Sequence, residues 1–270
     1  MKLIDFEFDG ISAREFGLLP CYFDTSTSEL TPVYDINMHP VKAAKSDKFY
    51  STHASYDNPI EFSFDLVSDP CNPEFAFPAL DEEMIVNIYR WLTRKRYKKF
   101  KPIYDDGSFQ NVFCNCTFNL TPLTSGGHVV GFTLKGLTDA PWAYYDEQRV
   151  QSNPGENLLV FVDMSDQEGH IYMDCEITVK EAGDFEMINN LEPRRKIVIK
   201  NCEAGEVLTF DGKRKQISSS KQHLKLMNDF NYHWPRAVNQ WNSRVNIFTA
   251  NKSFDMSVRY FPVCKGGLLV

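Results

Sequence analysis

The chain has 270 residues, 43% of them hydrophobic and 14% aromatic, enough for two ordinary cores and weighted toward strand rather than helix. Its formal charge of -7 argues against a protein whose main task is gripping phosphate backbones. No apolar run approaches the roughly 18 residues needed to cross a bilayer, and the start carries no signal-peptide pattern. A soluble protein made in the cytoplasm, without membrane insertion, is therefore expected.

In the first segment, FEFDGISAREFGLL, Ile4, Phe6 and Phe8 alternate with polar neighbours as in a half-buried strand. Asp9-Gly10 supplies the positive φ angles of a tight turn. Ser12, Phe16, Gly17 and Leu18 follow at once, so both sides of the turn should be buried together. Residues 24–55 hold no sustained period and are rich in Ser, Thr and Pro. They read either as an extended arm or as two short edge strands folded back on their own domain.

NPIEFSFDLVSD turns Ile60, Phe62, Phe64 and Leu66 inward as a strand, ended by the loop PCNPEFAFPAL. A helix follows: Asp81 is a good N-cap, Glu82 and Glu83 suit the first turn, and Met84, Ile85, Ile88, Tyr89 and Leu92 form an apolar stripe. Burying these five side chains contributes roughly 8 to 15 kcal/mol gross. Its continuation, RWLTRKRYKKFK, carries Arg90, Arg94, Lys95, Arg96, Lys98, Lys99 and Lys101, the densest basic cluster of the chain. The cluster reads either as cations capping a helix C-terminus on a solvated face or as a subunit contact with an acidic neighbour.

VFCNCTFNLTPLTSGGHVVGFTLKG predicts two strands around Gly126-Gly127. Cys114 and Cys116 lack the second ligand pair of a zinc site and read as core. The seven cysteines are scattered and odd in number, which favours reduced, buried thiols. The polar stretch DAPWAYYDEQRVQSNPGENL, where the strand pattern stops, marks a domain boundary, giving domains 1–145 and 146–270. Beyond it, seven or so short alternating segments predict an antiparallel sandwich, with Asp211-Gly212 repeating the strand, DG turn, strand device.

Chemistry is sparse. There is no nucleophile elbow and no phosphate-cradling glycine loop, so nucleotide chemistry is not expected. The six histidines are dispersed and read as surface or turn residues, and Asp105-Asp106-Gly107, Asp163 and Asp166 as turn formers. No catalytic residue, metal site or cofactor is assigned. The loop NDFNYHWPRAVNQWN, with Tyr232, Trp234 and Trp241, is either a stacking platform for a sugar ring or a packing lid over one end of the sandwich.

FEFDGISAREFGLL, the helix ending in RWL, the strand before DAPWAY, and FEMINNLEPRRKIVIKNCEAGEVLTFDGKRKQI together resemble the distal tail proteins of siphophages and their prophages, in order and over nearly the whole chain. The resemblance implies an all-β protein with one helix. Its N-terminal domain, a β-sandwich or split barrel, would assemble into a ring, usually a hexamer. Its C-terminal domain would be a galectin-like β-sandwich facing outward. The implied role is a structural hub of the virion tail, not an enzyme. Its partners would be itself, the tail tube protein and the tail-tip or baseplate proteins, with DNA passing through the lumen without specific binding. The 24–55 arm and the basic cluster would then be the complementary patches that close a ring. From a different class, a carbohydrate-binding module or adhesin for host attachment is motivated by the Tyr232 to Trp241 loop.

Overall fold

The computed structural model describes residues 2–21, 36–42, 47–69, 79–153 and 155–266. The expected arm therefore lies partly outside the described residues, as do most of the PCNPEFAFPAL loop and Cys71. The chain divides into two compact units, one holding the residues up to Tyr144 together with those from Cys264, the other Tyr145–Val263.

The first unit begins with β1 (Leu3–Phe8), β2 (Ile11–Ser12) and β3 (Leu18–Cys21). Phe8 pairs with Ile11, and Asp9 and Gly10 between them have φ of 54° and 81°, the double positive that a two-residue hairpin of matching twist requires. Leu3, Phe6 and Phe8 are buried while Ile4 is half-buried, because the register with the neighbouring strand shifts between Leu3 and Asp5. The even alternation expected from Ile4 is thus broken by a bulge. One 3-10 turn, Ala13–Phe16, follows, closed by a capping box in which the Ser12 hydroxyl accepts from the Arg14 N–H and Glu15 accepts from the Ser12 N–H.

A ribbon comes next, β4 (Ile36–Lys42) antiparallel to β5 (Phe49–Tyr56), as a separate two-stranded sheet. Then come β6 (Glu61–Ser68), α1 (Glu82–Leu92), β7 (Lys98–Tyr104), β8 (Val112–Ser125), β9 (His128–Thr138) and β10 (Ala143–Tyr145). Asp81 caps α1 by accepting from the Met84 N–H at 2.7 Å. The helix stops at Leu92, so Lys98, Lys99 and Lys101 lie on a strand and not on a helical continuation. The stronger signal there was the two-residue period of the buried Phe100, Pro102 and Tyr104, together with a proline that a helix interior rejects.

Seven strands of a nine-stranded sheet run in the order β2-β1-β7-β8-β9-β6-β3, and β10 joins it through β8. β3, at one end of that order, lies beside β1 near the other, so the sheet curls into a split barrel. Its interior is aromatic: Phe6 lies within 5.3–6.4 Å, centroid to centroid, of Phe64, Trp91, Phe100 and Phe118. Cys114 and Cys116 are buried and free, as expected.

The second unit comprises β11 (Gln148–Gln151), β12 (Leu158–Val162), β13 (Gly169–Tyr172), β14 (Asp174–Val179), β15 (Gly183–Asn189), β16 (Ile197–Cys202), β17 (Glu206–Asp211), β18 (Gln216–Ser219), α2 (Leu226–Asp229), β19 (Arg236–Asn239), β20 (Val245–Ala250) and β21 (Phe254–Tyr260). Two antiparallel sheets, β11-β21-β14-β17-β18 and β12-β20-β15-β16, enclose one core, with β13-β19 as a third short sheet. Alternate residues such as Ile177, Phe185, Leu208, Phe248 and Met256 point inward with no more than 1% exposure. The boundary stretch is not strand-free: β10 and β11 lie in it. QRVQ was not legible because only Val150 packs on the core, leaving no alternation to see. The 211–216 hairpin forms, but its positive φ falls on Lys215 (56°) instead of Gly212. Gly212 is required for another reason, since a Cβ there would sit 2.6 Å from the Met173 carbonyl oxygen.

Candidate functional site

Two surface features of the first unit come from the predicted assembly patches. The ribbon exposes Ile36, Met38, Val41, Phe49 and Tyr50, each 45–66% accessible. The register sets Val41 opposite Tyr50 and Lys42 opposite Phe49, so alternation turns Tyr50 and Phe49 to opposite faces and the ribbon carries exposed apolar side chains on both, the kind of surface that marks an interaction site. Its base is fixed within the unit, where Tyr56 meets Trp142 edge to face at 5.5 Å and Lys265 lies over the Tyr56 ring.

Of the basic cluster, Arg90, Lys95 and Arg96 are exposed and Arg94 is half-buried. Arg90 donates to Asn87 on its own helix, and the Arg94 side chain donates to the Trp91 carbonyl while its carbonyl accepts from Thr117. Arg94 thus fixes the helix end. Among the described residues none of these four makes an ion pair, whereas Lys98 of the same cluster is paired with Asp9 at 3.0 Å.

The aromatic loop divides. Trp234 is buried at 8% exposure, packed edge-on against Phe210 and Phe230, and Tyr232 reaches Phe230 from the other side. The Tyr232 hydroxyl donates to the Met227 carbonyl. Trp234 therefore packs as core, whereas Trp241 stands 79% exposed on the turn between β19 and β20.

Two interior polar groups escaped the sequence reading. Asp163 is buried and accepts from Ser165 and from the Tyr260 hydroxyl at 3.0 Å, and Ser165 in turn accepts from the Val263 N–H and, through its carbonyl, from Asn239. Burial and the Asp163 charge together hold the Tyr260 phenol far above its usual range. The side chain of His223, expected at the surface, is 6% exposed and sits between Glu206 (2.9 Å) and Asp229 (3.1 Å). Its partners are 17 and 6 residues away, on a strand and a short helix, a spacing that no local motif announces.

Among the described residues no group of three or more His, Cys, Asp or Glu is placed to hold a metal, and no helix is long and apolar enough to cross a membrane. Burial pushes the Cys116 thiol up and out of the reactive range.

What the fold describes is a two-unit, mostly β protein with one substantial helix and exposed apolar and basic side chains on its first unit. Residues 1–140 match a family of phage tail protein N-terminal domains and residues 142–260 a family of phage tail C-terminal domains; the chain belongs to this phage tail protein family. It has the fold of the Dit protein of phage SPP1, described as a hub of the adsorption apparatus in phages that infect Gram-positive bacteria. The two share 13% identity and a TM-score of 0.63, over 96% of this chain and 99% of that one. A Bacillus thuringiensis Cry1Da tryptic core variant aligns at 11% identity over 98% of this chain and 51% of that one, but its TM-score of 0.23 defines no common fold. No curated protein sequence matches the chain.

Proposed function

We propose that this chain is the ring-forming hub at the end of a siphophage or prophage tail, most simply a homo-hexamer, joining the tail tube to the baseplate or tip while DNA passes through its lumen. The observation that carries this is the correspondence of both units, in order, to tail-protein domains, with the Dit fold extending over 96% of the chain. A closed ring of identical subunits needs two complementary patches on each. The apolar ribbon and the unpaired Arg90, Lys95 and Arg96 are candidates for one side of that contact, facing the acidic remainder of a neighbour. A lumen built from a chain of charge -7 lets a polyanion slide without holding it. The second unit serves as the outward, galectin-like sandwich on which tip proteins dock, and the location is the virion tail after synthesis in the host cytoplasm.

Light scattering of the purified chain, followed by negative-stain imaging of the same peak, tests the proposal. A mass near six subunits with ring-shaped particles supports it; a monomer that forms no rings at high concentration, alone or with tail tube protein, overturns it. The exposed Trp241 favours a second reading, host saccharide binding by the second unit. That reading requires tryptophan fluorescence to respond to cell-wall saccharide in the parent and not in Trp241→Ala.

A further inference from the structure

The Nζ of Lys215 is a buried side-chain polar atom with no hydrogen-bond partner among the described residues. Native proteins rarely leave such an atom unsatisfied without a reason. Lys215 sits in the turn after β17, its ammonium over the ring of Tyr172 and 5.9 Å from the ring centre of Trp234. Two more cations lie close to the same residues. The Arg236 guanidinium lies 5.9 Å from the Tyr172 ring centre, and Arg195 donates to the Trp234 carbonyl at 2.8 Å.

Two carboxylates stand nearby, and both have other work. Glu192 is gripped by Arg236 through both of its oxygens. Asp211 accepts from the Arg214 N–H and faces the Arg214 guanidinium at 3.9 Å. Among the described residues neither Lys215 nor Arg195 makes an ion pair. The cost shows in their protonation: burial, then the two arginines, pulls Lys215 down to about 8, and burial, then Arg236, lowers Arg195.

We infer that Lys215, Arg195 and Arg236 form a binding site for a phosphate group carried on a small ligand. The three cations arrive from three elements, the β17–β18 turn, the β15–β16 loop and the start of β19. Donors carried on separate elements suit a tetrahedral oxyanion, whereas a planar carboxylate is satisfied by one guanidinium, as Glu192 already is. An anion here gives the orphan ammonium its missing acceptors and offsets the surplus charge. An open cavity of about 310 Å³, bounded by Lys215, Asp211, Gln216 and Met227, lies on the Lys215 side of the cluster.

Thermal melting and titration calorimetry of the full chain at pH 7, with sodium phosphate and glycerol 3-phosphate against sodium chloride and acetate at equal ionic strength, form the test. Saturable stabilisation by both phosphates and not by acetate is expected, with tighter binding of glycerol 3-phosphate if the group belongs to a larger ligand and equal binding if the free ion is the ligand. Arg195→Gln and Lys215→Met should each weaken the phosphate effect about tenfold or more. Lys215→Met should also melt higher than the parent without phosphate, because an unpaired buried ammonium is gone. A phosphate effect that does not saturate, that acetate reproduces, or that survives in Arg195→Gln overturns the assignment.

Discussion

Trp91 donates its indole N–H to the Phe8 carbonyl at 2.9 Å, tying the last turn of α1 to the end of β1 across 83 residues. The same ring is sandwiched nearly parallel between Phe6 (5.7 Å) and Phe16 (4.7 Å). The opening hairpin, the 3-10 turn behind it and the helix are therefore one packing unit. Trp91→Phe keeps most of the apolar contact but leaves the Phe8 carbonyl without its donor, an expected loss of about 1–3 kcal/mol. Trp91→Ala also opens a cavity and should cost about 3–5 kcal/mol. Urea denaturation read by hydrogen exchange checks both, with protection falling in β1 and α1 while β14 and β17 of the second unit are unchanged.

Gly136 pairs with Phe62 on one side and Phe118 on the other, so a residue without a side chain lies between two phenylalanines. A Cβ there would run into the Phe62 ring, which is itself held by Phe64, Phe100 and Phe118. Gly136→Ala is expected to destabilise the first unit by about 1–3 kcal/mol through overpacking. If the ring clash is the cause, adding Phe62→Leu recovers part of the loss, and a double-mutant cycle in urea measures that coupling.

These two relationships mark the limit of what the sequence made legible. Turns at Asp9-Gly10 and Gly126-Gly127, the Asp81 cap and the strand faces of Phe62, Phe64 and Leu66 were readable because their causes are local. Trp91 was missed as a core anchor because its partners lie more than 70 residues upstream, and a basic run after it drew attention to charge instead of to the alternation of Phe100, Pro102 and Tyr104. The His223 and Lys215 clusters were hidden because their members come from separate elements at spacings that match no local motif, 17 and 6 residues in the case of His223. Trp234 and Trp241 look alike in sequence, yet one packs on Phe210 and the other meets solvent, a difference only tertiary contacts decide.

His223 bridges two ionised carboxylates, so both ring nitrogens must donate and the imidazolium is the form that fits. Burial alone would push its pKa down; the hydrogen bonds it donates to Glu206 and Asp229 outweigh burial and hold it above the usual imidazole value. Glu206 is lowered despite its own burial, by Ser219, the Glu203 N–H and His223, and Asp229 is lowered by Asn201 and His223. A raised histidine contributes fully below about pH 6.5 and loses that contribution as pH rises through its folded value. The depressed carboxylates contribute above about pH 4.5 and lose it on acidification. The clasp is therefore strongest between about pH 4.5 and 6.5. Lys215 runs the other way, gaining stability as pH rises through about 8, so the comparison must be between variants. Denaturation midpoints at pH 6 and 8.5 should converge for parent and His223→Gln as pH rises, with the variant weaker at pH 6. Parallel profiles would show that the imidazolium bridge does not carry the difference.

The ribbon yields the prediction that reaches furthest toward assembly. Phe49 is 66% exposed and pairs with Lys42, whose ammonium lies 5.9 Å over its ring, and Met38 is 53% exposed on the facing strand. Neither side chain supports a core, so Phe49→Ser and Met38→Ser should change the melting of the isolated chain by no more than about 0.5 kcal/mol. If the ribbon clasps a neighbouring subunit, each exposed ring or thioether is buried on assembly, worth about 1.5–3 kcal/mol per contact. Repeated around a ring, that loss shifts assembly to much higher concentration. Light scattering across a dilution series should show the double variant as subunits at concentrations where the parent is assembled, while charge reversal at Arg90 and Arg96 should weaken assembly mainly at low salt. Identical dilution curves for parent and double variant would remove the ribbon from the interface and leave the basic cluster as its remaining candidate.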